Sequence, residues 1–248
     1  MARYDFRTPR LYVDIPLALG GTVVLDSAQT HYLIHVLRLV PGDGVLVFNA
    51  RDGEWRASLA GAGKRAATLA LESQTRPQTA AGDLHYLFAP LKHARLDYMV
   101  QKAVELGVSR LQPVITRHSQ AARVNLERMR SNAIEAAEQC GILTLPEIGP
   151  PLDLARALAE LDPERLIVFC DEAAEEPDPI AALEALRGKA DRLAVLVGPE
   201  GGFAENERAA LLRRPQVVRL LLGPRIMRAD TAAVAALSLV QAVLGDWR

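Results

Sequence analysis

Cysteine is scarce in this chain of 248 residues: only Cys140 and Cys170 occur. Neither belongs to a CxxC pair or a zinc-ligand spacing, which excludes a disulfide scaffold and a structural zinc site. A reducing cytoplasm is then the simplest compartment. No run of eighteen apolar residues occurs, so no membrane-spanning helix is expected. The opening MARYDFRTPRLYVDI lacks the apolar core of a secretory signal. There is no GxGxxG after a strand and no Gly-Lys-Ser/Thr, so neither a dinucleotide fingerprint nor a Walker loop is present. His31 and His35 have no cysteine or carboxylate at ligand spacing, and no metal is expected. Solenoid repeats and low-complexity tracts are also missing.

Half of the residues are apolar, enough for a sizeable core. The length suits one large domain or two smaller ones. The net charge of −1 hides an uneven distribution. Residues 1–130 carry 17 Lys and Arg against 11 Asp and Glu, and residues 131–190 carry 4 against 13. From charge alone the excess is small and reads as solvated surface; a basic face can also collect phosphates.

Residues 1–76 read as a small β-rich unit. Leu11–Ile15, Thr22–Leu25, Gly44–Phe48 and Trp55–Leu59 are short branched or alternating runs, punctuated by Gly and Asp. A helix over Ser27–Val36, capped by Ser27, interrupts them. This spacing suggests a small barrel. Residues 73–83 are polar and aperiodic, with Pro and Gly, and mark a linker; a boundary near residue 77 follows.

Beyond it, strands alternate with helices. Strands are expected at Leu84–Ala89, Leu111–Ile115, Leu166–Cys170, Leu193–Val197 and Val217–Leu222. Helices are expected at Leu96–Leu106, Leu126–Cys140 (capped by Asn125), Leu154–Leu161, Pro179–Leu186, Glu205–Leu212 and Thr231–Leu244, with Thr231 as a possible cap of the last. Such alternation implies an α/β fold with a parallel sheet covered on both faces. The last helix is so rich in Ala, Leu and Val that it lies in the core or at a subunit interface.

Two strands end in Gly-Pro bends: Gly198-Pro199-Glu200-Gly201-Gly202 and Gly223-Pro224-Arg225. In open α/β sheets ligands bind beyond the carboxyl ends of strands. These bends supply backbone groups for a flat ligand, together with Glu200, Arg225, Arg228 and Thr231. Alone, the first bend reads equally well as a tight strand-to-helix connection. The second is harder to dismiss, because guanidinium groups beside buried elements need acceptor partners. Lys92, His93 and Arg95 follow one strand, and Arg117 and His118 follow another, on the same edge. Each alone reads as solvated surface; their coincidence at strand ends favours a shared site. Cys170-Asp171-Glu172 also ends a strand, but nothing nearby in sequence would lower the thiol pKa. Lys102 and Glu105 are spaced to pair on one helix. Glu138 and Gln139 either face solvent or line a site.

Six segments resemble the RsmE family of ribosomal RNA methyltransferases, in that family's order. They are His31-Tyr-Leu-Ile-His-Val-Leu-Arg-Leu39 with Pro41-Gly-Asp43; Leu91-Lys92; Gln101-Lys-Ala-Val-Glu-Leu-Gly-Val108; Glu135-Ala-Ala-Glu-Gln-Cys140; Gly198-Pro-Glu-Gly-Gly-Phe203; and Leu222-Gly-Pro-Arg-Ile-Met-Arg228. The chain departs from the family's usual residues at Ile142, where Arg is common, and at Met227 and Asp230, where the chemical type is kept. The family belongs to the SPOUT superfamily. The resemblance implies a PUA-like barrel over residues 1–76 and a SPOUT-type trefoil-knot domain over 77–248. It implies a homodimer that uses S-adenosylmethionine to methylate N3 of a uridine in 16S rRNA of the 30S subunit. Another SPOUT enzyme, acting on a ribose 2′-hydroxyl, and a non-catalytic ribosome-assembly factor are the competing readings.

On this resemblance, backbone groups of Leu196, Val197, Gly198, Glu200, Gly201 and Gly202 would hold the cofactor. Leu221, Leu222, Gly223, Ile226, Met227 and Thr231 would complete its site. Arg228 would stabilise the uracil anion, and Glu200 would take a ribose hydroxyl or an amino group; the general base is left open between water and Glu200. Arg225 or Lys92 would hold phosphate. Arg7, Arg10, His31 and Arg38, with Arg95 and Arg117, would contact RNA without reading bases.

Overall fold

The computed structural model describes all residues except 1–4, 6, 64, 65, 93, 121, 122, 190 and 248. The chain divides into two compact units, Met1–Ala80 with Ala137–Leu145, and Ala81–Ala136 with Pro146–Arg248.

The first unit contains β1 (Arg10–Tyr12), β2 (Thr22–Val24), α1 (Ser27–His31), β3 (Gly44–Phe48), β4 (Glu54–Ala62) and β5 (Ala67–Arg76). They form one curled sheet in the order β1-β3-β4-β5-β2, open because β1 and β2 are its edges. Only the β1–β3 pair is parallel. Val23, Leu33, Val45, Val47, Leu59 and Leu69 fill its concave face. β5 replaces the first four residues of the expected linker. Its first half alternates buried and partly buried residues, but from Glu72 to Thr75 every residue is exposed. The backbone ladder to β4, not an apolar pattern, holds that half.

Ser27 is not the cap of α1. Asp26 accepts from the Gln29 N–H at 2.8 Å, and the Gln29 side chain accepts from the Asp26 N–H at 3.3 Å, a reciprocal capping box. The expected helix then widens into a π-turn over Tyr32–Val36. Arg38 follows at φ 57°, in the left-handed region.

A buried charge cluster closes this unit. The Glu54 carboxylate meets Arg10 Nε and Arg76 Nη2, each at 2.7 Å, and accepts from Thr75 Oγ1 at 2.9 Å. Arg10 also donates to the Glu138 carbonyl at 3.1 Å, and Arg76 to the Gly141 carbonyl at 2.9 Å. Glu138 in turn accepts from the Tyr12 N–H at 2.8 Å. Residues 137–145 therefore belong here, although they are distant in sequence. The expectation that Arg10 contacts RNA is overturned: its guanidinium is buried and committed to protein acceptors.

The second unit contains β6 (Leu84–Phe88), α2 (Ala94–Glu105), β7 (Arg110–Ile115), α3 (Leu126–Cys140, whose last turn lies in the first unit), and the two-residue strands β8 (Glu147–Ile148) and β9 (Leu152–Asp153). There follow α4 (Leu154–Glu160), β10 (Leu166–Cys170), α5 (Pro179–Glu184), β11 (Leu193–Val197), α6 (Glu205–Leu212), β12 (Val217–Leu220) and α7 (Ala229–Val243). Its strands run in the order β12-β10-β11-β6-β7-β8, and every pairing is parallel. The continuous apolar runs are explained by this: β11 is buried at all five positions. Leu87, Val114, Phe169, Leu196 and Leu211 pack one face. Asn125 caps α3 as expected, accepting from the Arg128 N–H at 3.0 Å. Gln241 of α7 donates to the Leu106 carbonyl at 2.6 Å, clasping α7 to the end of α2. No described helix is long and apolar enough to cross a membrane.

Burial pushes the Glu54 carboxyl up, but hydrogen bonds from Arg76, Arg10 and Thr75 outweigh it and hold it below its ordinary value. A folded-state value below the unfolded one gives stability that is present above the unfolded value, about 4.3, and is lost as pH falls through the folded one. Glu54→Gln should lower urea stability at pH 7 by about 3–5 kcal/mol, because the buried Arg10 and the partly buried Arg76 lose their anion. The variant should also lose less stability than the wild type on acidification; equal acid slopes would show that Glu54 is not the titrating group.

Candidate active site

A parallel sheet sends every strand's carboxyl end to one edge. The strand order places five loops along it: residues 221–228 after β12, 171–175 after β10, 198–203 after β11, 89–92 after β6 and 116–120 after β7. The β11 loop, with its Gly-Pro bend, stands in the middle.

On one side of it lies a cleft of about 510 Å³, walled by the loops after β10, β11 and β12 and by the start of α7. The two Gly-Pro bends face each other across this cleft. Among the described residues, the peptide groups of residues 221–227 make no hydrogen bond to protein. Unpaired peptide groups along a partly covered wall are ready acceptors and donors for a ligand. Gly202 adopts φ 70° and Gly223 φ 111°, whereas Gly201 does not have positive φ. Gly198 is required for a different reason: a Cβ there would lie 2.4 Å from the Phe203 ring, which packs edge-on against Phe169.

Asp171 fixes two of the three loops. Its buried carboxylate meets Arg208 at 2.9 Å and Arg219 at 2.7 Å, and its N–H donates to the Leu220 carbonyl at 3.0 Å. Burial raises its pKa; the Arg208, Ala173 N–H and Arg219 hydrogen bonds reverse this and leave it below the ordinary carboxylate value. Arg219 also donates to the Ala173 carbonyl. The neighbouring Cys170 thiol is pushed up to about 12 by burial, so it is no nucleophile at neutral pH.

On the other side of the β11 loop is a smaller cavity of about 180 Å³, lined by Pro90, Leu91, Lys92, Arg95, Gln120, Pro199 and Glu200. Glu200 is ion-paired with Arg95 through one carboxylate oxygen and accepts from Gln120 Nε2 at 3.0 Å through the other. His118 Nδ1 lies 3.2 Å from the Gly202 carbonyl. Glu207 accepts from the Arg117 and Ala204 N–H groups, each at 2.9 Å, and ties the β7 loop to the start of α6.

The structure brings most of the expected cofactor residues to the cleft: Val197, Gly198, Glu200, Gly201, Gly202, Leu221, Leu222, Gly223, Ile226 and Met227 all line it, as does Arg225. Ile226 is 95 % exposed at the mouth, leaving its apolar surface to a flat ligand. Leu196 does not line it; its side chain is in the core. Thr231 is not a cap but the third residue of α7, which starts at Ala229 with no side-chain cap. Arg228 is exposed just before that helix, outside the lining of the cleft. Arg7, His31, Arg38 and Arg117 are exposed, Lys92 and Arg95 line the smaller cavity, and His93 lies outside the described residues. Lys102 and Glu105 pair at 2.6 Å as their spacing suggested. Sequence reasoning missed the structural part of Asp171, and it missed Gln120 entirely. The strand end at Cys170 was the available signal for the first; nothing local marked the second. Among the described residues no group of three His, Cys, Asp or Glu is placed to hold a metal.

Comparison with known proteins assigns the class. Residues 78–241 match the model of an RNA methyltransferase domain and residues 25–72 that of an RNA methyltransferase PUA domain. A ribosomal RNA small subunit methyltransferase E from Rickettsia conorii is 32% identical over 94% of this chain and 94% of its own. One from Synechocystis is 33% identical over 95% of this chain and 78% of its own. The crystal structure of that enzyme from Neisseria gonorrhoeae, bound to S-adenosyl methionine, superposes with a TM-score of 0.87 at 27% identity, covering 98% of this chain and 100% of that one. The chain belongs to the ribosomal RNA small subunit methyltransferase E family. Its second unit has the SPOUT-type α/β fold, and the curled sheet is its PUA domain.

Replacing Asp171 with Asn should leave Arg208 and Arg219 without their anion and loosen both loops. We expect calorimetric affinity for S-adenosylmethionine to fall about tenfold or more, with a lower melting temperature. Unchanged affinity would show that the cleft keeps its shape without this tie.

Proposed function

We propose that this protein uses S-adenosylmethionine to methylate N3 of a uridine in 16S rRNA of the 30S subunit, as a cytoplasmic homodimer. The observation that carries the reading is the cleft between the two Gly-Pro bends, with its unpaired peptide groups. Its volume of about 510 Å³ falls within the range of small-molecule sites. Its residues fit the donor. Leu221, Leu222 and Met227 offer apolar surface to a flat base, and the peptide groups of residues 221–227 offer hydrogen bonds to its edge. Glu172, exposed on the same cleft, suits a cationic ligand. When bound, the donor supplies an electrophilic methyl: the N3–carbon bond forms as the carbon–sulfur bond breaks, and the bonding pair returns to sulfur.

The chain's own task is the proton and the charge. N3–H of uracil is a weak acid, and its removal leaves negative charge spread over O2 and O4. A preorganised cation beside one of those oxygens is the largest single aid to such a step. Arg228, exposed and adjacent to the cleft-lining Met227, is assigned that part, with Arg225 or Lys92 on backbone phosphate. Arg7, His31 and Arg38 on the first unit are exposed and suit phosphate contacts that position RNA. The homodimer is supported by α7: Thr231, Val234, Ala235, Ser238, Leu239 and Ala242 form an outward stripe without a charged side chain.

Mass spectrometry of 16S rRNA methylated in vitro should give 3-methyluridine; a 2′-O-methyl product would instead support the ribose reading. In single turnover, Arg228→Ala should slow transfer about 100-fold with donor affinity little changed. Near-normal transfer would remove Arg228 from the reaction. Gly201→Val should weaken donor binding by calorimetry, because the side chain would stand on the cleft wall and its Cβ would already lie a tight 3.3 Å from His118 Cβ. Wild-type affinity in that variant would place the donor elsewhere.

A further inference from the structure

The β11 loop has a cavity on each side, and the two share a wall made of Pro199 and Glu200. Glu200 lines both, yet its hydrogen bonds favour one. Its partners, Arg95 and Gln120, line the smaller cavity and not the cleft. Building on the methyl-transfer reading above, we propose that the smaller cavity seats the target uracil and that Glu200 takes the N3 proton, while Arg95 and Gln120 each donate to one of the two flanking carbonyl oxygens, whose second lone pairs stay open to Arg228.

Three observations carry this. First, the cavity suits one ring: it measures about 180 Å³, with Pro90, Leu91 and Pro199 as apolar walls for a flat base. Second, its polar rim has the right order. Uracil presents an acceptor, a donor and an acceptor in O4, N3–H and O2. The rim presents a donor, an acceptor and a donor in Arg95, Glu200 and Gln120, because the carboxylate stands between the guanidinium and the amide. A carboxylate has about four acceptor positions and an amide nitrogen two N–H groups, so these bonds leave capacity for a base. Cytosine presents a donor and two acceptors and would meet the rim wrongly. Third, the charge is conserved in place. When the N3–H bond breaks, the proton goes to the Glu200 carboxylate and the nitrogen keeps the electron pair. Negative charge moves from Glu200 to the ring, and the Arg95 guanidinium, beside both, opposes it before and after.

The other charged groups around Glu200 are consistent with this. Lys92 shares the cavity, and His118 lies against Gly201 and Gly202. Arg225 and Glu172 lie on the cleft side, and Asp171 there is already neutralised by Arg208 and Arg219.

The test uses the full-length protein with S-adenosylmethionine and unmodified 30S particles. Glu200→Gln should bind the donor within about twofold of wild type by calorimetry. It should form 3-methyluridine about 100-fold more slowly at neutral pH, and recover as pH rises, because N3 then ionises without a base. Gln120→Ala keeps the carboxylate and should slow transfer about tenfold without alkaline recovery. Should Glu200→Gln fail to fold, Glu200→Asp provides the check, with slower transfer, intact donor binding and a wild-type pH profile. Loss of donor binding in Glu200→Gln would place the carboxylate on the donor's ribose. Wild-type transfer, or slowing equal at all pH values, would show that it does not act on the N3 proton. Any of these overturns the proposal while wild-type 3-methyluridine still stands. Failure of the wild type to bind the donor or form that product would instead overturn the methyl-transfer reading beneath it.

Discussion

Parallel strands cannot be joined by tight hairpins, so each return must cross over through a connection long enough to span the sheet. The second unit obeys this without exception, and everything functional about it follows. Five strands deliver their carboxyl ends to a single edge, and past Ala89 and Asp171, whose N–H groups still donate to the next strand, the backbone there leaves the ladder that occupies it elsewhere. Order along the edge then decides which loops meet. β11 lies between β10 and β6, so its Gly-Pro bend borders two spaces at once. A strand at the rim of the sheet would have given that bend one neighbour and one cavity.

Both units depend on a buried carboxylate held by two arginines. Glu54 joins strands to a segment more than sixty residues further along the chain, and Asp171 joins the ends of neighbouring strands to α6. In each, desolvation is opposed by several directed hydrogen bonds, and the net effect holds the carboxyl in its charged form. Such a group fixes backbone carbonyls and loop ends in one arrangement, which apolar packing alone does less selectively. Around Asp171 that selectivity acts on the walls of a cleft.

The features that were legible in the amino-acid sequence are the local ones. Apolar runs mark buried parallel strands, and Gly-Pro pairs mark the bends, because backbone freedom and burial are properties of adjacent residues. β5 was hidden because its exposed half owes its place to the partner strand. Asp26 escaped notice as a cap because Ser27 offers the same chemistry one residue later. Arg10 read as a surface cation because its anion is 44 positions away. Gln120 and Glu200 are 80 apart, and no periodicity connects them. The cofactor cleft was largely readable since two short motifs wall it; the smaller cavity was not, since each wall comes from a different loop.

The last turn of α3 and the residues after it give the first unit an order of completion. Its sheet is encoded before residue 77, but the carbonyls of Glu138 and Gly141 that receive Arg10 and Arg76 are encoded much later. On the ribosome, the curled sheet emerges with Arg10 and Arg76 paired to Glu54 but each short of one carbonyl acceptor, which follows only with the helix that begins at Leu126 and the residue after it. Synthesis thus couples the maturation of the amino-terminal unit to more than half of the chain.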